Sequence, residues 1–242
     1  MPIQSDQAIV LRLTDFSETS QIATLFTARQ GLVRLIAKGA RRGTAKRFAV
    51  GLDLLEAGEV SYLPPRGDAQ LGTLTEWVQR NAFAGLRSEL VRMHAGFYAA
   101  ELVSTLTEEY DPHADLFANL RQTLTALANG DDSLRTIATF QDGLLKSLGY
   151  APNYTQCVAC NRPWARGAAA FFSSTAGGLL CRDCEMHYVE KRRLPANLPD
   201  TDPRTGDARA WFTLQDYYLT HVAGRRLKTA DPLRVALGLT AK

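Results

Sequence analysis

The chain lacks an apolar run long enough to cross a bilayer, which takes about 20 residues in a helix. The apolar stretch at residues 8–11 is short and is followed by Arg12. Nothing in Met1-Pro2-Ile3-Gln4 resembles a secretion signal. Hydrophobic residues make up 45% of the chain, an ordinary share for a soluble globular protein. We therefore expect a soluble protein of the reducing cytoplasm, with no membrane partner.

Catalytic motifs are also missing. The sequence has no Gly-x-x-x-x-Gly-Lys-[Ser/Thr] loop for phosphates, no His-Glu-x-x-His and no Gly-x-Ser-x-Gly. The deaminase pattern fails as well, because Gln156 precedes the first cysteine and no His-x-Glu occurs upstream. The histidines are scattered, and neither His94 nor His113 has a local partner for acid–base work. We predict that the protein is not an enzyme.

Cysteine is scarce, and all four cysteines belong to one pattern. They form Cys157-x-x-Cys160 followed by Cys181-x-x-Cys184. Two such turns supply the four thiolates that tetrahedral Zn²⁺ binds at about 2.3 Å. The spacing predicts a zinc ribbon or a treble-clef-like module. Because four thiolates leave no open coordination position, the predicted Zn²⁺ is structural rather than catalytic.

Three alternatives to zinc stay open at this point. They are two disulfides, an iron site and four unliganded thiols. Disulfides are rare in a reducing cytosol, whereas the spacing does not separate iron from zinc. His187, three residues after Cys184, is a further candidate ligand in place of one cysteine.

Acidic residues are missing from a stretch that is rich in basic ones. No Asp or Glu occurs between residues 29 and 47, although the whole chain has a net charge of only +3. In a strand at 31–38, the period of two places Val33 and Leu35 in the core and leaves Arg34 outside. The glycine-punctuated loop that follows is suited to contacts with a phosphate chain. The predicted DNA-binding residues are Arg34, Lys38, Arg41, Arg42, Lys46 and Arg47. The alternative is a solvated basic loop.

The first eighty residues predict five short strands. The segments rich in β-forming residues, separated by turn signals, are 8–13, 21–27, 31–38, 50–63 and 70–77. Five such strands favour an OB-fold barrel, which binds single strands through a basic groove and stacked aromatic side chains. We expect most aromatic residues of the barrel to be core, and Phe48, beside Arg47, to be the candidate stacking platform.

Beyond Asn81 the hydrophobic period becomes that of helices. Apolar residues recur every three or four positions in segments that start near residue 86 and run to about Glu109, and again around 116–127, 137–148 and 207–228. The predicted fold class is α+β. It consists of an OB-fold nucleic-acid-binding domain at 1–80, an α-helical domain in two parts at 81–153 and 191–242, and an inserted four-cysteine zinc module at 154–190.

Three local segments and the order of the parts are typical of a known family. The segments are Gly31–Arg47, the run Ser147-Leu148-Gly149-Tyr150-Ala151-Pro152 before the first Cys-x-x-Cys, and Phe171-Phe172-Ser173 ahead of Gly177-Gly178. With these features, nearly the whole chain resembles RecO, a family of bacterial recombination mediator proteins. Some members of that family lack the cysteines, which suits a structural metal.

The resemblance implies a non-enzymatic mediator of DNA repair and recombination at the nucleoid. Such a protein is expected to bind single-stranded and double-stranded DNA and to anneal complementary strands. Its expected protein partners are RecR, single-strand-binding protein and, indirectly, RecA, which it helps to load onto coated single strands. No nucleotide hydrolysis is implied.

Annealing brings two polyanions together, so a second basic area is expected beside the barrel. The candidates are Arg182 with residues 191–193, and residues 225–228. The alternative is that Arg162, Arg166 and Arg182 compensate the negative charge of a four-thiolate metal centre. The alternative function is a zinc-ribbon transcription or translation regulator, which would differ from a mediator in sequence preference.

Overall fold

The computed structural model describes residues 2–39, 52–67 and 69–239. Its first part is a closed barrel of β1 (Gln4–Asp15), β2 (Gln21–Thr27), β3 (Gly31–Ala37), β4 (Ala57–Leu63) and β5 (Gly72–Asn81). The strand order is β1-β2-β3-β5-β4, and β4 pairs back to β1. Neighbouring strands are antiparallel, except that β3 and β5 pair in parallel. This is the five-stranded OB-fold predicted from the sequence.

Alternate residues of the strands fill the barrel. On β3, Val33 and Leu35 are fully buried, while Arg34 between them lies on the outer face. The interior also holds two large aromatic side chains, Tyr62 and Trp77. Burial of a side chain of this size stabilises the fold by about 1.5–3 kcal/mol. The predicted period of two on β3 is therefore confirmed.

The fourth strand begins later than predicted. Residues 52–56 form a turn rather than part of a strand, and β4 starts at Ala57. The backbone of Leu55 has φ +64°, which a strand does not accommodate. This turn is fixed to the first strand, because the Leu55 N–H donates to the Val10 carbonyl at 2.8 Å and the Val10 N–H donates to the Glu56 carbonyl at 2.9 Å. Residues 50 and 51 lie outside the described part of the chain.

Two long helices share a compact unit with the barrel. This unit comprises Met1–Asp131 and Asp231–Lys242, and its long helices are α1 (Leu90–Leu106) and α2 (Ala114–Asn129). The first helix ends at Leu106, earlier than predicted, because Thr107 adopts an extended backbone. The second ends at Asn129, just before Gly130, whose φ of +92° suits a residue without Cβ.

The second compact unit comprises Asp132–Ala230. It contains α3 (Ser133–Ser147), a small sheet of β6 (Phe171–Ser173), β7 (Gly178–Leu180) and β8 (Arg192–Arg193) in the order β7-β6-β8, and α4 (Ala208–Val222). The last helix, α5 (Ala230–Ala236), belongs from Asp231 onward to the first unit. The cysteine segment thus belongs to the same compact unit as α3 and α4, while the predicted domain boundaries stay a prediction. None of the helices in the described ranges combines the length and the apolar character that crossing a bilayer requires.

Aromatic side chains join the small sheet to α4. The Tyr154 ring lies 5.9 Å from Phe172 of β6 and meets Trp211 of α4 edge-on at 5.0 Å. Phe172 also meets Tyr218 edge-on at 5.5 Å. Such contacts contribute about 0.5–1.5 kcal/mol per pair beyond burial. The packing of the cysteine segment therefore depends on that of α4.

Candidate metal centre and nucleic-acid interface

Each Cys-x-x-Cys forms a tight turn whose backbone hydrogen bonds fix the sulfurs. In the first turn, the Asn161 N–H donates to the Cys157 carbonyl at 2.8 Å, and the Cys157 N–H donates to the Arg162 carbonyl at 2.9 Å. In the second turn, which follows β7, the N–H groups of Cys184 and Glu185 donate to the Cys181 carbonyl at 3.1 and 3.0 Å. Both turns are knuckles of the type that the spacing predicted.

The two knuckles bring the four sulfurs together. All four ligand atoms lie within 4.8 Å of one another, and the sulfurs of Cys160 and Cys181 are 3.9 Å apart. A tetrahedral ion with Zn–S bonds of about 2.3 Å requires sulfurs about 3.8 Å apart, whereas a disulfide requires about 2.05 Å. The four cysteines are free. The arrangement therefore fits a four-thiolate metal ion and not two disulfides, and His187 is not part of this group among the described residues.

The electrostatics of the cluster differ between its members. Burial alone would raise the pKa of the Cys157 thiol, but N–H groups of Cys181, Cys160 and Ala159 donate to its sulfur and lower the pKa to about 6. Hydrogen bonds to the sulfurs of Cys181 and Cys160 favour the protonated form of Cys184 and raise its pKa to about 12. The lowered pKa predisposes Cys157 to be a thiolate, whereas the raised pKa of Cys184 means that a bound cation would be needed to ionise it near neutral pH.

Basic side chains around the cluster are partly engaged in ion pairs. Arg162 contacts Asp183 at 2.6 Å, and Arg166 contacts Asp200 at 3.4 Å. Arg182 is exposed. The first two cations, which the alternative interpretation assigns to compensating the thiolates, are therefore paired with carboxylates. Whether Arg182 contacts DNA stays a prediction.

The predicted DNA-binding residues of the barrel fall into two groups. Arg34 lies on the outer face of β3 with 41% of its side chain exposed, and its guanidinium is 3.5 Å from the Glu109 carboxylate. Lys38 follows the end of β3 and is exposed. The other predicted residues, together with the candidate platform Phe48, lie outside the described residues; they are Arg41, Arg42, Lys46 and Arg47.

Arg29, the first cation of the basic block, has a structural role. Its backbone N–H donates to the Asp6 carboxylate at 2.9 Å, and its side chain donates to the same carboxylate at 3.2 Å. Asp6 is buried, and a buried carboxylate requires such partners. Arg29 therefore fixes the turn between β2 and β3 to β1.

The strand register separates a covered part of the outer barrel face from an open part. In one row across β1, β2 and β3, Ile9, Phe26 and Leu32 are aligned and buried. Phe26 in this row contacts Phe117 of α2, with ring centroids 6.1 Å apart. The helices of this unit thus cover that part of the face.

The next row is open to solvent and carries two arginines. Arg12 is aligned with Thr24, and Thr24 with Arg34. Arg12 is exposed, and Thr24 and Arg34 are partly exposed. Since neighbouring strands lie about 4.8 Å apart, the two arginine backbones are about 10 Å apart. Arg12 was not among the residues predicted to bind DNA, because its place beside Arg34 follows from strand register. The signal in the sequence is the position of Arg12 between the apolar residues Leu11 and Leu13.

Most aromatic residues of the barrel are buried, as predicted. Phe26, Tyr62 and Trp77 are at most 3% exposed. Phe16 differs, since 58% of its surface is exposed in the loop between β1 and β2.

The fold and the cysteine cluster together define an α+β protein that has an OB-fold barrel and a group of four thiols able to bind a metal ion.

Comparison with known proteins narrows this class to a family. The family profile described as Recombination protein O N terminal matches residues 1–83, and that described as Recombination protein O C terminal matches residues 87–198. Similar proteins include the DNA repair protein RecO of Rhodopirellula baltica, which is 35% identical over 212 residues, or 83% of this chain and 78% of that protein. DNA repair protein RecO of Anaeromyxobacter sp. strain K is 33% identical over 234 residues, which cover 97% of this chain and 85% of the relative.

The chain belongs to the RecO family of DNA repair proteins. This confirms the resemblance found in the sequence, and it gives the protein a role in DNA repair. The more distant DNA repair protein RecO of Desulforamulus reducens, 28% identical over 243 residues, matches 98% of this chain.

Proposed function

We propose that this protein is a non-enzymatic recombination mediator. In this proposal it binds single-stranded and double-stranded DNA and anneals complementary strands. With RecR, it helps load RecA onto strands coated by single-strand-binding protein. One observation supports this beyond family membership: the open row Arg12–Thr24–Arg34 lies on an OB-fold face whose neighbouring row is covered by helices.

The proposed site contacts the backbone of DNA rather than the edges of its bases. Arg12 and Arg34 lie on one open face, and Lys38 follows the end of β3 at the edge of the described residues. Contacts of this kind fix position without reading sequence. That suits annealing, which must accept any pair of complementary strands. The contributions proposed for Arg41, Arg42, Lys46 and Arg47 rest on the sequence alone.

We further propose that the four cysteines hold structural Zn²⁺. The ion, when bound, would cross-link the two knuckles through Cys157, Cys160, Cys181 and Cys184. The chain's own residues then extend this order, since β7 leads directly into the second knuckle and its partner β6 carries Phe172 against Tyr154 and α4. In this proposal the metal stabilises the second unit and takes no part in contacts with DNA.

A binding experiment separates this function from that of a sequence-reading regulator. Affinities are measured by fluorescence anisotropy at one salt concentration for several unrelated single strands and duplexes. A mediator binds all members of each class almost equally. A regulator distinguishes its own site from the others by about 4 kcal/mol or more, so a preference of that size would refute the proposal.

A further inference from the structure

Phe16 occupies a short loop at the open end of the barrel face. It directly follows β1, and β2 begins five residues later at Gln21. The Phe16 N–H donates to the Ser20 carbonyl at 3.0 Å, and the Ser17 N–H donates to the same carbonyl at 3.1 Å. In return, the Ser20 N–H donates to the Ser17 hydroxyl at 3.2 Å. These bonds define the position from which a large, exposed ring projects.

The loop lies at the end of the face that carries the cationic row Arg12–Thr24–Arg34. Phe16 is two residues beyond Thr14 and four beyond Arg12, which are both exposed. Its N–H bond to the Ser20 carbonyl continues the pairing of β1 with β2 by one residue, so the alternation of the strand places it on the same face. The last aligned row of the strands joins residues 15, 21 and 37. Phe16 and Lys38 each follow that row by one residue, on opposite sides of β2. An aromatic ring and a cation therefore stand at the same end of the face.

Partly exposed apolar side chains lie between this ring and the arginines. Thr14 is aligned with Ile22, and Ile22 with Ile36, in the row between Phe16 and Arg12. Both isoleucines are partly buried on the outer side of the barrel. The face thus has apolar surface flanked by cations on two sides. A polyanion with exposed aromatic faces complements both properties, and unpaired DNA is such a ligand.

We propose that Phe16 is a base-stacking residue of the strand-binding face, in contact with an unpaired base whose phosphates lie on Arg12, Arg34 and Lys38. This inference rests on the proposed DNA-binding function and assigns a residue to it. Stacking requires a free base face, so Phe16 contributes to the binding of single strands and not of duplexes. The contact is lost as a base enters a pair, which favours release of the annealed product.

Three DNA probes of equal length test the assignment: an oligothymidylate, the same chain without bases, and a duplex. Phe16→Ala is compared with wild type, with Phe16→Trp, and with the control Ile3→Ala, which shortens another exposed apolar residue of this unit, 59% exposed. We expect Phe16→Ala to weaken oligothymidylate binding about fivefold or more. Its salt dependence and its affinity for the abasic chain and the duplex remain those of wild type. Phe16→Trp retains the tight binding.

Two results would overturn the assignment. One is equal oligothymidylate affinity for wild type and Phe16→Ala. The same result is expected if Phe16 contacts a protein partner rather than DNA, so that case also overturns the assignment. The other is an equal loss for all three probes, which would indicate a charge or folding effect. Wild-type protein that binds none of the probes would refute the proposed function itself, and the stacking contact with it.

Discussion

Removal of the two arginines of the open row should change how DNA binding responds to salt. For single strands, the slope of log K against log[salt] is about −0.7 per neutralised phosphate. If about four phosphates are engaged, the wild-type slope is near −3. The double variant Arg12→Ala/Arg34→Ala removes two contacts and should lower the magnitude of the slope by about 1.4.

The same slope gives the size of the affinity loss. At 1 M salt, electrostatic binding is largely screened, so wild type and variant should bind almost equally. Over the tenfold drop to 0.1 M salt, a change of about 1.4 in slope becomes a loss of affinity of about 25-fold. Arg34 should contribute less than Arg12, because the Glu109 carboxylate, 3.5 Å away, already neutralises part of its charge. The separate single variants measure this inequality.

The assay is anisotropy of a labelled oligothymidylate over a series of salt concentrations. The matched control is Arg80→Ala, which also removes an exposed arginine of the barrel, one that is paired with Glu59 at 3.1 Å. Its slope should equal that of wild type. The reasoning is refuted if the double variant keeps the wild-type slope, or if Arg80→Ala flattens the slope to the same extent.

Three further predictions concern other parts of the molecule. Glu109→Gln frees Arg34 and should tighten single-strand binding up to about fivefold at low salt; an Arg34→Ala background should abolish the gain, and a gain that persists there contradicts the pairing. Cys181→Ser should lose metal, measured by elemental analysis, and lower the melting temperature of the second unit while single-strand affinity is retained; the control Arg182→Ala should keep its metal, and a metal-free variant of full stability would argue against a structural ion. Burial raises the pKa of Tyr62 to about 12. The part of the free energy of unfolding that depends on the protonated Tyr62 is fully present below pH 10. It is lost between pH 10 and 12, by up to about 3 kcal/mol. Denaturant titrations should show less alkaline destabilisation in Tyr62→Phe than in wild type, without loss of stability at pH 7, because the buried Tyr62 hydroxyl has no hydrogen-bond partner among the described residues. An identical pH dependence would contradict the assignment.

Local patterns in the sequence predicted the elements that are determined locally. The strand at Gln21–Thr27 matches the predicted bounds, because it is rich in β-forming residues and turn residues flank it. The four-cysteine cluster follows from spacing alone, since each knuckle is closed by bonds within its own turn. The end of α2 at Gly130 follows from the residue that permits a positive φ.

Features that depend on tertiary structure were not predicted. The turn at Leu55 replaces a strand because its backbone bonds to Val10, which is distant in sequence. Arg12 joins Arg34 only through the register of three strands. Phe16 and Phe26 are both aromatic residues of the barrel, but Phe16 is exposed whereas α2 covers Phe26. Composition does not encode which part of a barrel face a helix will cover.

The rate of strand annealing by the wild-type protein and by Arg12→Ala/Arg34→Ala tests the central proposal most directly. Two complementary strands, each coated with single-strand-binding protein, are mixed without ATP, and duplex formation is followed over time. We predict that the wild-type protein and Arg80→Ala accelerate annealing, and that Arg12→Ala/Arg34→Ala is much slower. Strands that stay apart with the wild-type protein, or that anneal equally fast with the double variant, would contradict the proposal that this barrel face carries the mediator function.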